Sequence, residues 1–209
     1  MDQLILSFDR AVRTLSGAAV ARRQSPSKRT LAPTTAVVMS AAEQAQSIAL
    51  MRVNHAGEVA AQALYQGQAL VSRSPALREK LGHAADEELD HLAWTRERVH
   101  ELGGRTSILG PLWYAGAFVM GAAAGALGDR TSLGFLQATE EQVEAHLAKH
   151  LERLPVSDTS SRAIVEQMKQ DEAGHAQTAR TLGARELPLP VQGLMRGISR
   201  VMTTLASKI

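Results

Sequence analysis

Cysteine is absent from this chain, and aromatic side chains make up only 3% of its 209 residues. Without cysteine the protein cannot form disulfides, iron–sulfur clusters or thiolate zinc sites, so oxygen and imidazole groups must hold any metal. Such ligands suit iron or manganese better than a structural zinc. The scarcity of aromatic residues, with abundant alanine, leucine and glutamate, favours helices packed through small side chains over a β-sandwich.

The chain also lacks a large excess of charge of one sign, because its net charge is only +2. A value this small does not by itself indicate a nucleic-acid-binding protein. The N-terminus is the exception, since residues 1–30 carry six basic side chains against two aspartates. Asp9, Arg10 and Arg13 interrupt the stretch where a secretory signal would need an apolar segment, so none is expected.

We predict a basic N-terminal arm and linker over residues 1–40 and a single domain over residues 41–209. The polar, proline-containing residues 21–35 are typical of a mobile linker. Before them, residues 2–19 have apolar side chains at helical spacing. This spacing predicts a short amphipathic helix with one face made of Leu4, Ile5, Phe8, Val12 and Leu15.

The rest of the chain has helical periodicity and no strand-like alternation, so we predict an all-α fold. Proline, glycine and helix-capping residues divide it into long helices over 40–72, 75–102, 132–154, 158–182 and 191–209. Residues 106–128 carry no formal charge and are about long enough to span a bilayer. Pro111 divides this segment and small residues dilute its hydrophobicity, which favours a buried or membrane-surface helix. Gly121 and Gly125 would let another helix approach closely.

Two Glu-x-x-His motifs, Glu88–His91 and Glu172–His175, carry the most specific information. Residues three apart share a helix face, so each pair can chelate one cation. Both pairs continue the apolar stripe of their own helix, which places them in the core. A single such motif is common in helical proteins and would not by itself indicate a metal site.

Each motif has a partner glutamate in the apolar stripe of the preceding helix. Glu58 precedes Glu88 by 30 residues, and Glu140 precedes Glu172 by 32. Each pair lies at nearly equal distances from the turn between its helices, so an antiparallel hairpin would place both members at one height, to within about one helical turn. The spacing therefore predicts two similar hairpins that form a four-helix bundle.

Four carboxylates and two imidazoles would then share one core, where burial without a cation costs on the order of several kcal/mol for each charge. One glutamate from each of two helices and Glu-x-x-His from each of the others is the carboxylate di-iron pattern. Manganese or a mixed metal pair suits the same groups. Glu141 replaces Glu140 if the helix register differs. The predicted metal ligands, through which catalysis would occur, are Glu58, Glu88, His91, Glu140, Glu172 and His175.

Four neighbouring side chains have weaker candidate roles. Asp171 and Glu87 each precede a predicted ligand and could orient the histidine of the opposite hairpin. A solvated helix charge is an equally good interpretation of both. His55 and His146 could donate hydrogen bonds to the ligands, although a satisfied core histidine is the simpler interpretation.

Four segments, MRVNHAGEVAAQALYQGQ, DEELDHL, ATEEQVEAHL and DEAGHA, resemble the demethoxyubiquinone hydroxylase family of ubiquinone biosynthesis. The resemblance covers about residues 45–209, and the run that ends at Glu58 is its most specific part. It implies a ferritin-like four-helix bundle with extra apolar and C-terminal amphipathic helices, and two iron ions on the same six ligands. The implied activity is O₂-dependent hydroxylation of the ring of a polyprenylated demethoxyubiquinol, with an external reductant such as NADH.

A substrate with an isoprenoid tail lies in a bilayer, so the resemblance implies a peripheral protein on the cytoplasmic face of the cell membrane. Residues 106–128 and the last helix would provide the contact surface. Other ubiquinone-biosynthesis proteins are the expected protein partners, and no nucleic acid is expected. The alternatives are a di-iron hydroxylase of another substrate, such as modified tRNA, and a non-catalytic iron-binding or ferroxidase protein. The near-neutral bundle and the uncharged segment favour lipid over RNA.

Overall fold

The structure is a computed structural model that describes residues 2–29 and 38–209. Over these residues the chain forms helices and no strand, which confirms the predicted all-α class. The bounds of the four longest helices agree with the sequence prediction to within three residues. The helices are α1 Asp2–Ser16, α2 Pro26–Arg29, α3 Ala41–Val71, α4 Pro75–Glu101, α5 Gly110–Ala126, α6 Asp129–Arg153, α7 Thr159–Thr181 and α8 Leu189–Ala206.

The core of the fold is a four-helix bundle made of two hairpins. Helix α3 packs along α4 and α6 packs along α7, as the spacing of the glutamates predicted. Contacts of α4 with α7 and of α3 with α6 join the hairpins. The buried apolar residues form two main clusters, one around Tyr65, Leu81 and Leu136 and the other around Trp94 and Met168.

Short polar caps fix where the bundle helices begin. Ser40 and Glu43 form a reciprocal capping box at the start of α3. Ser74 accepts a hydrogen bond from the Leu77 amide at the start of α4, and Asp158 caps α7 through the Ser161 amide. Because the caps of α4 and α7 lie only a few residues after the preceding helices, each pair must fold back as an antiparallel hairpin.

Helix α5 contains most of the uncharged segment and lies along α3. A Cβ atom added at Gly121 would collide with the backbone carbonyl of Leu64, and one added at Gly125 would lie 2.5 Å from Val71 Cγ2. The predicted close approach at these two glycines is therefore confirmed. Among the described residues, no helix has both the length and the apolar character needed to cross a bilayer.

The N-terminal residues lie against the bundle. Helix α1 ends at Ser16, and α2 was not predicted from the sequence. The backbone amide of Arg22 donates to Asp90 on α4, so the described part of the predicted linker makes defined contacts. Residues 30–37 and the side chain of Leu4 lie outside the described residues. The division of the chain at residue 40 stays a prediction.

Two apolar faces remain exposed at the periphery. On α1 the predicted face is exposed at Ile5, Phe8, Val12 and Leu15. Helix α8, which contacts α3 and α6, is amphipathic, and its exposed side includes Leu189, Leu194 and Val201. The predicted C-terminal amphipathic helix is confirmed.

The contact of α5 with α3 can be tested by adding one methyl group. We expect Gly121→Ala to lower the free energy of unfolding by about 1–3 kcal/mol, because the helices must separate to admit it. Gly116 on the same helix is the matched control, since a Cβ there meets no atom within 4 Å. Gly116→Ala should leave stability unchanged or raise it by up to about 1 kcal/mol. Urea unfolding of both variants measures the difference, and equal stabilities would contradict the close-packing argument.

Candidate metal centre

All six predicted ligands meet at mid-height of the bundle. The cluster around Trp94 lies mainly before the predicted ligands in α3 and α7 and after them in α4 and α6. The cluster around Tyr65 lies mainly on the other side of the ligands in each of these helices. The ligands therefore lie between the two clusters and away from both ends of the bundle. Five are at most 2% exposed, and only the His175 side chain retains slight exposure.

The ligand atoms fall into two overlapping groups. Oxygen or nitrogen atoms of each group lie within 4.8 Å of one another. Glu172 belongs to both groups and lies between the two histidines, with Oε1 3.3 Å from His91 Nδ1 and Oε2 3.4 Å from His175 Nδ1. The first group is Glu58, Glu88, His91 and Glu172, and the second is Glu140, Glu172 and His175.

Glu88 connects the two histidines in the same way. Its Oε2 is 3.0 Å from His91 Nδ1, and its Oε1 is 3.2 Å from His175 Nδ1. Glu58 is closer to the first histidine, with Oε2 3.7 Å from His91 Nδ1. Two carboxylates therefore span both imidazoles, and one further glutamate stands at each side. Two cations could share this set, with Glu88 and Glu172 contacting both.

Two buried atoms at the centre fit a metal. Glu88 Oε1 and His175 Nδ1 are buried and lie 3.2 Å apart as an ion pair, but neither atom makes a well-aligned hydrogen bond with a described residue. The neighbouring Glu172, Glu87 and Glu88 outweigh burial and raise the pKa of His175, so a divalent cation would have to displace a proton from Nδ1. Carboxylate oxygen with imidazole nitrogen is a donor set that iron accepts.

Burial disfavours ionisation of two of the four carboxyl groups. Burial and the neighbouring Glu88 raise the pKa of Glu58 well above its usual value, and burial with Glu172 does the same for Glu140. Burial also opposes ionisation of Glu88, but the two histidines outweigh it and hold the pKa of Glu88 well below the usual range. Metal binding would therefore displace protons from Glu58 and Glu140.

Each histidine is oriented by a carboxylate from the opposite hairpin. His91 Nε2 lies 2.9 Å from Asp171 Oδ2, and His175 Nε2 lies 2.8 Å from Glu87 Oε2. With Nε2 held by these carboxylates, Nδ1 of each ring faces the glutamates of the centre. Of the two interpretations of Asp171 and Glu87, the geometry favours the orienting role.

A fully buried tyrosine hydroxyl also contacts the centre. Tyr65 Oη donates a hydrogen bond to Glu140 Oε1. The sequence analysis missed this contact, although Tyr65 lies two helical turns after Glu58 on the same stripe of α3. Glu141, the alternative ligand, points outward to Gln137 and Arg180. The structure therefore places Glu140, and not Glu141, at the centre.

His55 and His146 have different surroundings. His55 is buried, and this burial lowers its pKa to about 4. No described hydrogen bond joins either histidine to a predicted ligand. Instead, His146 lines an apolar cavity of about 140 Å³ that reaches Glu58. The cavity lies between α3, α5, α6 and α8, and the other side chains that line it include Leu64, Met120, Phe135, Val143, Met195, Ile198 and Met202.

Known proteins resemble this chain in sequence and in fold. Residues 45–206 match the family model described as "Ubiquinone biosynthesis protein COQ7". A curated relative from Cupriavidus taiwanensis is named 3-demethoxyubiquinol 3-hydroxylase. It is 56% identical over 209 residues, and the match covers 100% of both chains. A relative of the same name from Paraburkholderia xenovorans is 55% identical over 207 residues, which are 99% of this chain and 98% of the relative.

One solved structure supports the fold. It is a dodecameric thioferritin from Bacteroides fragilis, described as a bacterioferritin-related protein. The TM-score is 0.55, and the match covers 65% of this chain and 82% of that one. At 17% sequence identity the likeness shows the fold alone, which confirms the predicted ferritin-like bundle.

A metal-binding measurement can test whether Glu140 or Glu141 is the ligand. Glu140 belongs only to the group at His175. We therefore expect Glu140→Ala to reduce anaerobic Fe(II) binding from two ions per chain to one. Glu141→Ala is the matched control and should still bind two. Equilibrium dialysis with iron analysis measures the stoichiometry, and two irons in Glu140→Ala would contradict this assignment.

Proposed function

This chain belongs to the COQ7 family of ubiquinone biosynthesis proteins, and we propose that it is an O₂-dependent di-iron monooxygenase that hydroxylates the ring of a demethoxyubiquinol. The observation that carries the proposal is the pair of histidines, His91 and His175, that face each other across the buried Glu88 and Glu172. The names of the relatives support the substrate, and the cavity at Glu58 supports access to it.

In this proposal Glu58 and His91 would hold one iron, Glu140 and His175 would hold the other, and Glu88 and Glu172 would contribute oxygen atoms from between the two histidines. Iron held by these residues would supply the chemistry that activates O₂. One oxygen atom enters a ring C–H bond as hydroxyl, and the other leaves as water after taking up two electrons and two protons. The electrons come from an external reductant, for which NADH is our candidate.

The residues around the ligands keep their geometry fixed. The hydrogen bond from Tyr65 occupies one oxygen of Glu140, so the other oxygen remains for the metal. Asp171 and Glu87 hold the two imidazoles by Nε2. Since a small displacement of a reacting group can cost a large factor in rate, this rigid support has a direct catalytic value.

The apolar cavity is the proposed binding site for the substrate ring. Its volume of about 140 Å³ is close to that of an engineered protein cavity that binds benzene, so one aromatic ring fits. His146 Nε2 is buried and has no hydrogen-bond partner among the described residues, so it is free to bond a ring oxygen. Met195, Ile198 and Met202 of α8 form one wall, through which the isoprenoid tail would leave.

The outer surface of α8 supports a peripheral position on the cytoplasmic face of the cell membrane. Leu194 and Val201 are more than half exposed, and Arg196 and Arg200 lie on the same helix. Leu112 and Val119 of α5 are also exposed. Exposed apolar residues with nearby basic groups are typical of helices that lie in the interface of an anionic membrane. Other ubiquinone-biosynthesis proteins are the partners that we propose.

The alternatives from the sequence have less support. A hydroxylase of modified tRNA would need a basic surface beside the site, whereas the cavity that reaches Glu58 is mainly apolar. A non-catalytic iron-binding or ferroxidase protein would need no cavity for an organic ring. The likeness to a thioferritin supports the shared bundle and says nothing about activity.

Quinone analysis tests the activity directly. In cells that lack this gene and any redundant hydroxylase, we expect the demethoxy precursor to accumulate and the wild-type gene to restore the hydroxylated quinone. Glu172→Ala should fail to restore it, because Glu172 belongs to both ligand groups. Mass spectrometry of extracted quinones measures both species.

Glu141→Ala is the control in the same cells, since Glu141 pairs with Arg180 outside the centre. It should restore the product to the wild-type level. A normal quinone profile in cells that lack the gene would reject the substrate assignment. Restoration by Glu172→Ala would reject the proposed role of the metal centre.

Vesicle binding tests the membrane surface. We expect the double variant Leu194→Glu and Val201→Glu to bind anionic vesicles at least about tenfold more weakly, because it replaces exposed apolar groups with charges. Val156 is the control position, since it is 85% exposed at the turn between α6 and α7. Co-sedimentation with phosphatidylglycerol vesicles measures binding. Equal binding by the double variant and by Val156→Glu would contradict this surface.

A further inference from the structure

An N-terminal segment outside the region matched by the family model contacts the back of the metal centre. This segment, residues 19–28, is called the strap below. The backbone amides of Arg22 and Arg23 donate to Asp90 Oδ1 at 2.5 and 3.3 Å. Trp94 Nε1 donates to the Arg23 carbonyl at 3.2 Å. The strap thus contacts α4 at Asp90 and Trp94, which come just before and just after His91 along the helix.

The Arg23 side chain reaches from the strap to the carboxylate behind His91. Its Nε lies 2.6 Å from Asp90 Oδ2, and its Nη2 lies 2.9 Å from Asp171 Oδ2. The same Asp171 oxygen is 2.9 Å from His91 Nε2. The guanidinium carbon lies 4.9 Å from the centre of the Trp94 ring, which restricts its movement. One carboxylate oxygen is therefore shared by an imidazole and a guanidinium.

The other histidine has no equivalent arrangement. Glu87, which orients His175, is 39% exposed, whereas the Asp171 side chain is 18% exposed. Within the described ranges, the ion-pair partners of Glu87 are His175 and His83, at 2.8 and 3.7 Å. Among the described residues, no arginine or lysine lies within ion-pair distance of Glu87. The strap therefore places a permanent positive charge beside one half of a centre whose ligands are otherwise nearly symmetric.

We propose that Arg23 is a positioning residue that fixes Asp171 against His91 and makes the two metal positions unequal. The inference rests on the proposed di-iron function and adds to it a residue outside the matched family region. A guanidinium on Asp171 draws electron density from the carboxylate, so the carboxylate polarises His91 less. The ligand then donates less to its metal, and the nearby cation disfavours the higher metal charge. Iron at His91 should therefore prefer the ferrous state more than iron at His175 does.

Three variants of the full-length, iron-loaded protein test this inference. Arg23→Gln removes the charge, and Arg23→Lys keeps it. Arg22→Gln is the matched control, because Arg22 pairs with Asp86 at 3.0 Å and is 71% exposed on the same strap. Circular dichroism checks folding, and iron analysis checks that two ions are bound. Mediated redox titration and ⁵⁷Fe Mössbauer spectroscopy then compare the two metal positions.

We expect wild type and Arg22→Gln to show two unequal irons. In Arg23→Gln the ferrous preference of one iron should fall about tenfold, which is about 59 mV for a one-electron couple. Arg23→Lys should restore at least half of this shift. If Arg23→Gln matches Arg22→Gln in potentials and spectra while both bind two irons, the inference is overturned and the di-iron function stands. A wild-type protein that binds no iron would overturn both.

Discussion

The burial of four carboxyl groups at mid-height of one helical bundle is the constraint on which the rest of the structure depends. A carboxylate removed from water is stable only beside a cation or hydrogen-bond donors. Glu88 has two histidines for this purpose, whereas burial raises the pKa of Glu58 and Glu140 well above the usual value. Apolar clusters toward both ends of the bundle supply the stability that this polar layer does not.

The contacts that support this polar layer all join one hairpin to the other. The outer nitrogen of each histidine is bonded by a carboxylate from the other hairpin, so the hairpins orient each other's ligands. Tyr65 crosses from α3 to Glu140 on α6 in the same way. Neither half could therefore form a complete site alone. The symmetry visible in the sequence becomes functional only when the two hairpins pack.

Much of this arrangement could be predicted because its determinants are local. Helical periodicity, the capping residues and two Glu-x-x-His motifs define the bundle helices and the six residues at its centre. The contact of Tyr65 with Glu140 depends on how α3 meets α6, so spacing along one helix could not reveal it. Arg23 was assigned to a linker, because its partners Asp90 and Asp171 are distant in sequence. Contacts that do not follow from the two-hairpin pattern, such as these two, were the part that the sequence did not reveal.

The surroundings of the bundle then break its internal symmetry. The cavity lined by α5 and α8 reaches Glu58, which belongs to the same ligand group as His91. The strap contacts that histidine through Asp171 from outside the bundle. The cavity and the Arg23 ion pair thus both contact residues of the group at His91, whereas Arg23 forms no ion pair with Glu87, the carboxylate behind His175. The two halves of a nearly duplicated ligand set can therefore have different roles, because the elements packed around them differ.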